Sequence, residues 1–224
     1  MVDIPDNLKV IKPWGSEYKI FTNNISSTKL LKINEGKKTS LHCHPTKKTG
    51  FILLDGKVDV DLGFYNTSTF NSISKLMIRP GLFHCTSNNY DKVSTILEIE
   101  TPIDKDDLVR FKDEYGRENT SYEGENKMTD LDKNDIKFED PKLDTFNEYM
   151  LEGKRIIIEK LSKDRKIKLN NYKEIFAILG GGLFNNKGLC VLSPGDIVST
   201  DTVLKLSENF RIIDNITFLR IKYD

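Results

Sequence analysis

The run KVDVDL, Lys57 to Leu62, places an apolar residue at every second position, and period-two alternation of this kind belongs to a strand with one face buried. Similar short runs recur at STKLLKI (27–33), GFILL (50–54), KLMI (75–78) and VSTILEIE (93–100), separated by the turn signals NEG, DG and RPG. Strands at such close spacing predict an all-β chain folded as an antiparallel sandwich or barrel. The Asp55-Gly56 dipeptide tolerates the positive φ angles of a two-residue turn, so a tight hairpin is expected between GFILL and KVDVDL.

A chain of 224 residues can bury one large core or two modest ones. The first alternating half leads to an expected domain over residues 1–118, closing on TPIDKDDLVRFKDEYGR (101–117), which has room for one short helix. Residues 119–142 are rich in acidic and amide side chains and read as a polar linker. A second β domain is expected over 143–224, opening with a helix at DTFNEYMLEGK (144–154), where Asp144 or Thr145 would cap and Phe146, Tyr149 and Met150 would share a face. RIIIEK, EIFAIL, GLCVL and ITFLRIKY follow as strands. The glycines at 180–182 have no phosphate-loop lysine after them and predict a hairpin, while SPGD (193–196) echoes RPGLFH of the first half and hints at a duplicated architecture.

Lysine plus arginine balances aspartate plus glutamate at 34 each, which gives no global field for nucleic acid or an anionic membrane. The longest apolar stretch, IFAILGGGLF (175–184), is far shorter than the ~20 residues of a membrane span. The start, MVDIPDNLKV, lacks the basic and apolar regions of a secretory signal, so a cytoplasmic location is expected. Cys43, Cys85 and Cys190 are odd in number and form no CxxC, against a disulfide framework.

All three histidines lie in the first half, two of them in TSLHCHPTKKTG (39–50). In a strand His42 and His44 point to one face and Cys43 to the other, so two imidazoles can chelate one ion. The third, His84, follows the Pro80-Gly81 turn in RPGLFHCTSNN, where a hairpin stack would bring it beside the first two. Spacing alone leaves open a hydrogen-bonded surface pair. Cys43 and Cys85 are expected to be buried small residues facing away, and Trp14 a core anchor or a pocket wall.

These two stretches resemble the two sequence motifs of the cupin superfamily. Gly36, His42, His44 and Gly56 match the first motif, whose glutamate position is Thr49; Gly81, His84 and Asn88 match the second, with Arg79 in place of its first proline. From Lys12 to about Gly124, KPWGSEY and DDLVRFKDEYGR are similar to the flanks of the type II mannose-6-phosphate isomerase cupin, also the C-terminal domain of mannose-1-phosphate guanylyltransferases. The resemblance implies a double-stranded β-helix jelly roll, and a bicupin whose second half, without histidine, is degenerate. It implies a divalent metal on His42, His44 and His84, with zinc, iron and manganese all compatible with three imidazoles.

It further implies a sugar phosphate or nucleotide sugar as small-molecule ligand, in polysaccharide or nucleotide-sugar metabolism, and a possible homodimer, since cupins commonly dimerise. Isomerase or epimerase chemistry needs a base, for which Lys47 and Glu98, with Glu100 on the same face, are the candidates; solvent-facing carboxylates on a sheet edge are the alternative. Lys48, Thr49, Arg79, Arg110 and Arg117 are the candidate substrate contacts, with Lys48 and Arg79 favoured because they lie inside the motifs. Thr49, where a ligand carboxylate belongs, counts against simple mannose-6-phosphate isomerase activity. A three-histidine non-haem iron oxygenase and a non-catalytic sugar-binding or assembly cupin stand as the other readings.

Overall fold

The computed structural model describes residues 7–104, 106–118, 125–169 and 173–223. The chain divides into two compact units, residues 1–20 with 28–136 and residues 21–27 with 137–224. The strands through the first unit are β1 (Leu8–Lys12), β2 (Gly15–Thr22), β3 (Ser27–Ile33), β4 (Lys37–Lys38), β5 (Leu41–Cys43), β6 (Lys48–Asp55) and β7 (Lys57–Leu62). They continue with β8 (Asn66–Asn71), β9 (Ser74–Ile78), β10 (His84–Asn88), β11 (Ser94–Thr101), β12 (Val109–Lys112) and β13 (Met128–Asp130). The second unit carries β14 (Thr145–Leu151), β15 (Lys154–Ser162), β16 (Lys173–Gly181), β17 (Leu183–Phe184), β18 (Cys190–Leu192), β19 (Ile197–Ser199), α1 (Thr200–Asn209) and β20 (Asn215–Tyr223).

Two antiparallel sheets build the first unit, in the orders β13-β1-β2-β3-β11-β6-β9 and β12-β5-β10-β7-β8, with β4 also on β10. The core lies between them, Leu31, Ile33, Phe51, Leu53, Ile78 and Ile96 from the first sheet meeting Val58 and Val60 from the second. Each such side chain contributes about 1.5–3 kcal/mol on leaving water. The alternation in β7 behaves as expected: Val58 and Val60 are buried, while Asp59 and Asp61 accept hydrogen bonds from Thr69 and Thr67 on the neighbouring strand. This is the antiparallel all-β architecture that the alternation predicts and the jelly roll that the resemblance implies.

Three local expectations are corrected. Asp55-Gly56 does not close a hairpin, because β6 is paired on both edges, by β11 and β9, and the chain crosses to the other sheet as β7. Gly56 makes this corner at φ 93°, where an added Cβ would sit 2.4 Å from Ser94 Oγ. The short helix expected within 101–117 is absent among the described residues; residues 109–112 form β12, paired to β5. The helix expected at 144–154 is the hairpin β14–β15, whose turn residues Glu152 and Gly153 have φ values of 48° and 69°, as a type I′ turn requires.

In the second unit a five-stranded sheet, β14-β15-β20-β16-β19, accompanies the two-stranded β17–β18 and α1. Its order repeats that of β2-β3-β11-β6-β9, with the last strand of each series inserted third. Phe176, Ile178, Phe218, Val203 of α1 and Leu192 share its core. The triple glycine is a corner between sheets and not a hairpin: Cβ atoms at Gly181 and Gly182 would lie 1.9 Å from Asn215 O and 2.3 Å from Leu192 O. Of the expected linker, residues 119–124 lie outside the described residues, and 128–130 form β13 against β1. No helix among the described residues is long and apolar enough to cross a membrane.

Candidate metal centre

The inward faces of three adjacent strands change character along their length. In β3 the inward row runs Ile33, Leu31, Lys29; in β11, Ile96, Glu98, Glu100; in β6, Leu53, Phe51, Thr49. The apolar ends form the core; of the polar ends Lys29 and Glu98 line one wall of a cavity of ≈ 80 Å³, and Glu100 and Thr49 are buried outside its lining. The opposite sheet supplies the histidines. His84 on β10 is the direct cross-strand partner of His42 on β5, and His44 follows β5 at the next inward position.

The three imidazoles converge. Ring centroids are 4.4 Å apart for His42 and His84, 5.2 Å for His42 and His44, and 5.7 Å for His44 and His84. Each Nδ1 faces a main-chain carbonyl: Ser40 O at 2.8 Å from His42, Asp107 O at 2.5 Å from His44 and Leu82 O at 3.0 Å from His84. A carbonyl only accepts, so each Nδ1 carries the proton and each Nε2 presents a lone pair. Hydrogen bonding of the distal nitrogen is how metal-binding histidines are oriented. His84 Nε2 is buried with no hydrogen-bond partner, an orphan that a cation would satisfy, and one ligand atom from each histidine lies within 4.8 Å of the others. The residues fit a divalent ion.

Burial keeps the cluster neutral: it pushes His84 down to about 4 and His44 below the usual range, and drives His42 well below it, helped by the neighbouring imidazoles. The surrounding backbone is fixed by polar side chains. Asp107 accepts from the main-chain N–H groups of Thr46 at 2.9 Å and Lys47 at 2.8 Å, clamping the loop after His44. Gly81 N–H donates to His44 O at 2.8 Å, tying the two motifs together at a φ of 73°. Asn88 is structural, its Nδ2 donating to Ile33 O and Lys92 O at 2.8 and 2.7 Å.

Behind the histidines lies a buried charge network. Lys29 Nζ is 2.8 Å from Glu100 Oε2 and 3.7 Å from Glu98 Oε2. Burial would lower the Lys29 ammonium, but Glu100, Glu98 and Glu17 hold it above its usual value. Burial likewise favours protonation of Glu100, yet Lys29 and Lys47 overcome it and hold that carboxyl low; Glu98, farther from Lys29, is pushed up to about 7 by burial. Two carboxyls on one strand are thus shifted in opposite directions.

Among the residues singled out from sequence, His42, His44, His84, Glu98, Arg110 and Arg117 line the cavity. Arg110 pairs with His42 across β12 and β5, which turns it inward, and Arg117 is held by Asp113 through Nε at 2.9 Å and Nη2 at 2.7 Å. Thr49 is buried beside Glu100 in register. Lys47 is buried with its Nζ 3.4 Å from Glu100, away from the cavity lining. Lys48 and Arg79 do not line it either; Arg79 is exposed and reaches Pro80 O at 3.4 Å. Trp14 is both core residue and cavity wall. Cys43 and Cys85 are buried, free and outside the lining, consistent with strand alternation. Lys12, Glu17 and Lys29 were not singled out from sequence, although Lys29 shares its parity with Leu31 and Ile33.

Two facing antiparallel sheets with a three-histidine cluster between them define a cupin. Residues 4–113, about half of the chain, match the family described as Mannose-6-phosphate isomerase C-terminal, and over this span the first unit is a cupin resembling that family. Among solved structures, a conserved double-stranded β-helix protein from Klebsiella pneumoniae is 15% identical, with 38% of this chain and 75% of that one covered and a TM-score of 0.37. KdgF from a Halomonas species is 12% identical, with coverage of 45% and 91% and a TM-score of 0.41. The capsular polysaccharide assembling protein CapF from Staphylococcus aureus is 16% identical, with coverage of 47% and 34% and a TM-score of 0.42. Comparison with curated proteins found no match.

Proposed function

We propose that the first unit is a metal-dependent cupin that moves a proton between adjacent carbons of a small anionic sugar derivative, a sugar phosphate or nucleotide sugar, in isomerase- or epimerase-type chemistry. The observation that carries this reading is one cavity holding three Nδ1-anchored imidazoles together with a carboxyl, Glu98, raised to about 7. A general acid–base group works best with its pKa near the operating pH, and Glu98 can accept and return a proton there. A divalent ion on His42, His44 and His84 would supply Lewis acidity toward a carbonyl or hydroxyl oxygen of the ligand.

The other roles belong to this chain's own side chains. Four cations, Lys12, Lys29, Arg110 and Arg117, line the cavity; Glu17 pairs with Lys12, Glu100 with Lys29 and Asp113 with Arg117, so the positive groups are held in place around the space an anionic ligand would enter. Arg110 and Arg117 are assigned to the anionic group, and Asp113 keeps the Arg117 guanidinium in one orientation. Trp14, Leu31 and Phe51 form apolar walls that exclude water from the proton in transit. Lys47, outside the cavity lining and 3.4 Å from Glu100, is read as a partner of that carboxylate, and the proton-transfer role is assigned to Glu98. The second unit is read as a degenerate cupin, on the repeated strand order and the absence of histidine after residue 84.

The test is solvent exchange. Protein loaded with Mn(II), Zn(II) or Fe(II) is incubated in D2O with a panel of aldose and ketose phosphates and nucleotide sugars, and carbon-bound deuterium is read by mass spectrometry. Incorporation next to a carbonyl carbon, lost in Glu98→Gln, is expected. No incorporation across the panel with any of the three metals overturns the reading.

A further inference from the structure

We propose that Glu100, on β11, supplies to the histidine cluster the carboxylate ligand that Thr49 on β6 does not. This rests on the metal-dependent reading above and names a ligand that the sequence motif does not point to. Glu100 and Thr49 are register partners across the antiparallel β11–β6 pair, so their side chains leave the same face at neighbouring positions. A carboxylate at 100 therefore reaches the volume that one at 49 would fill, from the adjacent strand and on a longer side chain than threonine. Thr49 Oγ1 itself is buried with no hydrogen-bond partner and makes no claim on that volume.

The contact to His44 is the second observation. Its Nε2 lies 3.6 Å from Glu100 Oε1, while its Nδ1 proton is committed to Asp107 O. Two acceptor atoms then face one another across a gap that is stable only with a cation in it or beside it. Lys47 stands beside it, 3.4 Å from the same oxygen, and Lys29 occupies the other oxygen at 2.8 Å. His44 also belongs to both sets of converging donors, the three histidines and the group His44, Glu98 and Glu100, which makes His44 the link through which Glu100 meets the histidine cluster. Of the two carboxyls Glu100 is the ligand, because it is the one in contact with His44 and opposite Thr49; Glu98 lies opposite Phe51 and remains available for proton transfer.

Binding a cation at this point requires Lys47 to yield Oε1 while Lys29 keeps Oε2. Lys47 thereby becomes a placeholder for the metal, which explains a buried lysine that does not line the cavity.

The experiment measures Mn(II) affinity by calorimetry and by the free-ion electron paramagnetic resonance signal, and the visible spectrum of the Co(II) form, for wild type, Glu100→Gln and Thr49→Glu/Glu100→Gln. Far-ultraviolet circular dichroism and Trp14 fluorescence verify that each is folded. Glu100→Gln should weaken Mn(II) about 100-fold or more, beyond the usual loss on removing an outer-shell partner, and should change the Co(II) spectrum. The double variant, with the carboxylate returned to β6, should recover most of the affinity. Wild type and Glu100→Gln binding Mn(II) equally, with the same Co(II) spectrum, overturns the ligand assignment alone. A folded wild type that takes up neither metal overturns the metal-dependent reading beneath it.

Discussion

Glu98 can be tested as a group poised near neutrality without knowing the substrate, through the pH dependence of stability in Glu98→Gln. In the fold Glu98 sits at about 7 against an ordinary 4.5, so between these values the native state binds more protons than the unfolded chain and stability falls as pH rises. His84 sits at about 4 against an ordinary 6.5; there the unfolded chain binds more protons, and stability falls as pH drops through that window. Going from pH 7 to pH 5, the linkage relation gives a gain of about 2 kcal/mol from Glu98 and a loss of about 2 kcal/mol from His84, with His42 and His44 adding to the loss. The two terms nearly offset in wild type. Glu98→Gln removes only the gain, so the metal-free variant should lose about 2 kcal/mol more than wild type over that interval. Urea unfolding with a chelator present measures this, followed by fluorescence of Trp14, the chain's one tryptophan and part of the first unit's core. Identical pH dependence in the two proteins would mean that Glu98 ionises in the ordinary carboxylate range, and the proton-transfer role would fall with it.

Removing the central cation should be costly: Lys29→Met leaves Glu98, Glu100 and Glu17 without their shared ammonium, and a loss of about 3–5 kcal/mol is expected in the same unfolding assay. Gly56→Ala forces a side chain into φ 93° and against Ser94, which should cost about 1–3 kcal/mol in strained backbone alone, read as a lowered denaturant midpoint with an unchanged slope. Metal at 100 times its Kd should stabilise the first unit by about 2.7 kcal/mol, and this gain should persist through pH 6 and shrink only as pH falls toward about 4, where protons begin to compete for the buried imidazoles. A melting temperature indifferent to Mn(II), Zn(II) and Fe(II) at pH 7.5 would contradict the site.

How much of this was readable in the chain follows from what each residue type leaves as a trace. The histidines were legible because they are few: three in 224 residues, two at i and i+2 and one after a Pro-Gly turn, fall on one face of any strand that contains them. Strand alternation was equally clear in β7. What escaped is set by partners far away in sequence. Asp55-Gly56 has the local chemistry of a hairpin, but β6 is claimed on both edges by β9 and β11, so its turn becomes a crossing between sheets. Phe146, Tyr149 and Met150 fit a helical spacing, yet Asn147, Tyr149 and Leu151 keep the period of two, and seven rungs with β15 decide in favour of the strand. Phe146 and Met150, 56% and 58% exposed, are surface residues that imitated a helical stripe. The charge network was hidden for a different reason. Lysine and glutamate are common on surfaces, and an edge strand was an equally good home for LEIETP, whereas β11 is central and its glutamates point inward. The trace was parity: Lys29 falls in the row of Leu31 and Ile33, and Glu98 and Glu100 in the row of Ile96. A charged residue continuing an inward apolar row faces either the end of the core or a site. Where two adjacent strands do this with opposite charges, and a third ends in a neutral Thr49, the charges compensate one another in place, which allows three carboxyl and ammonium groups to be buried within reach of the histidines.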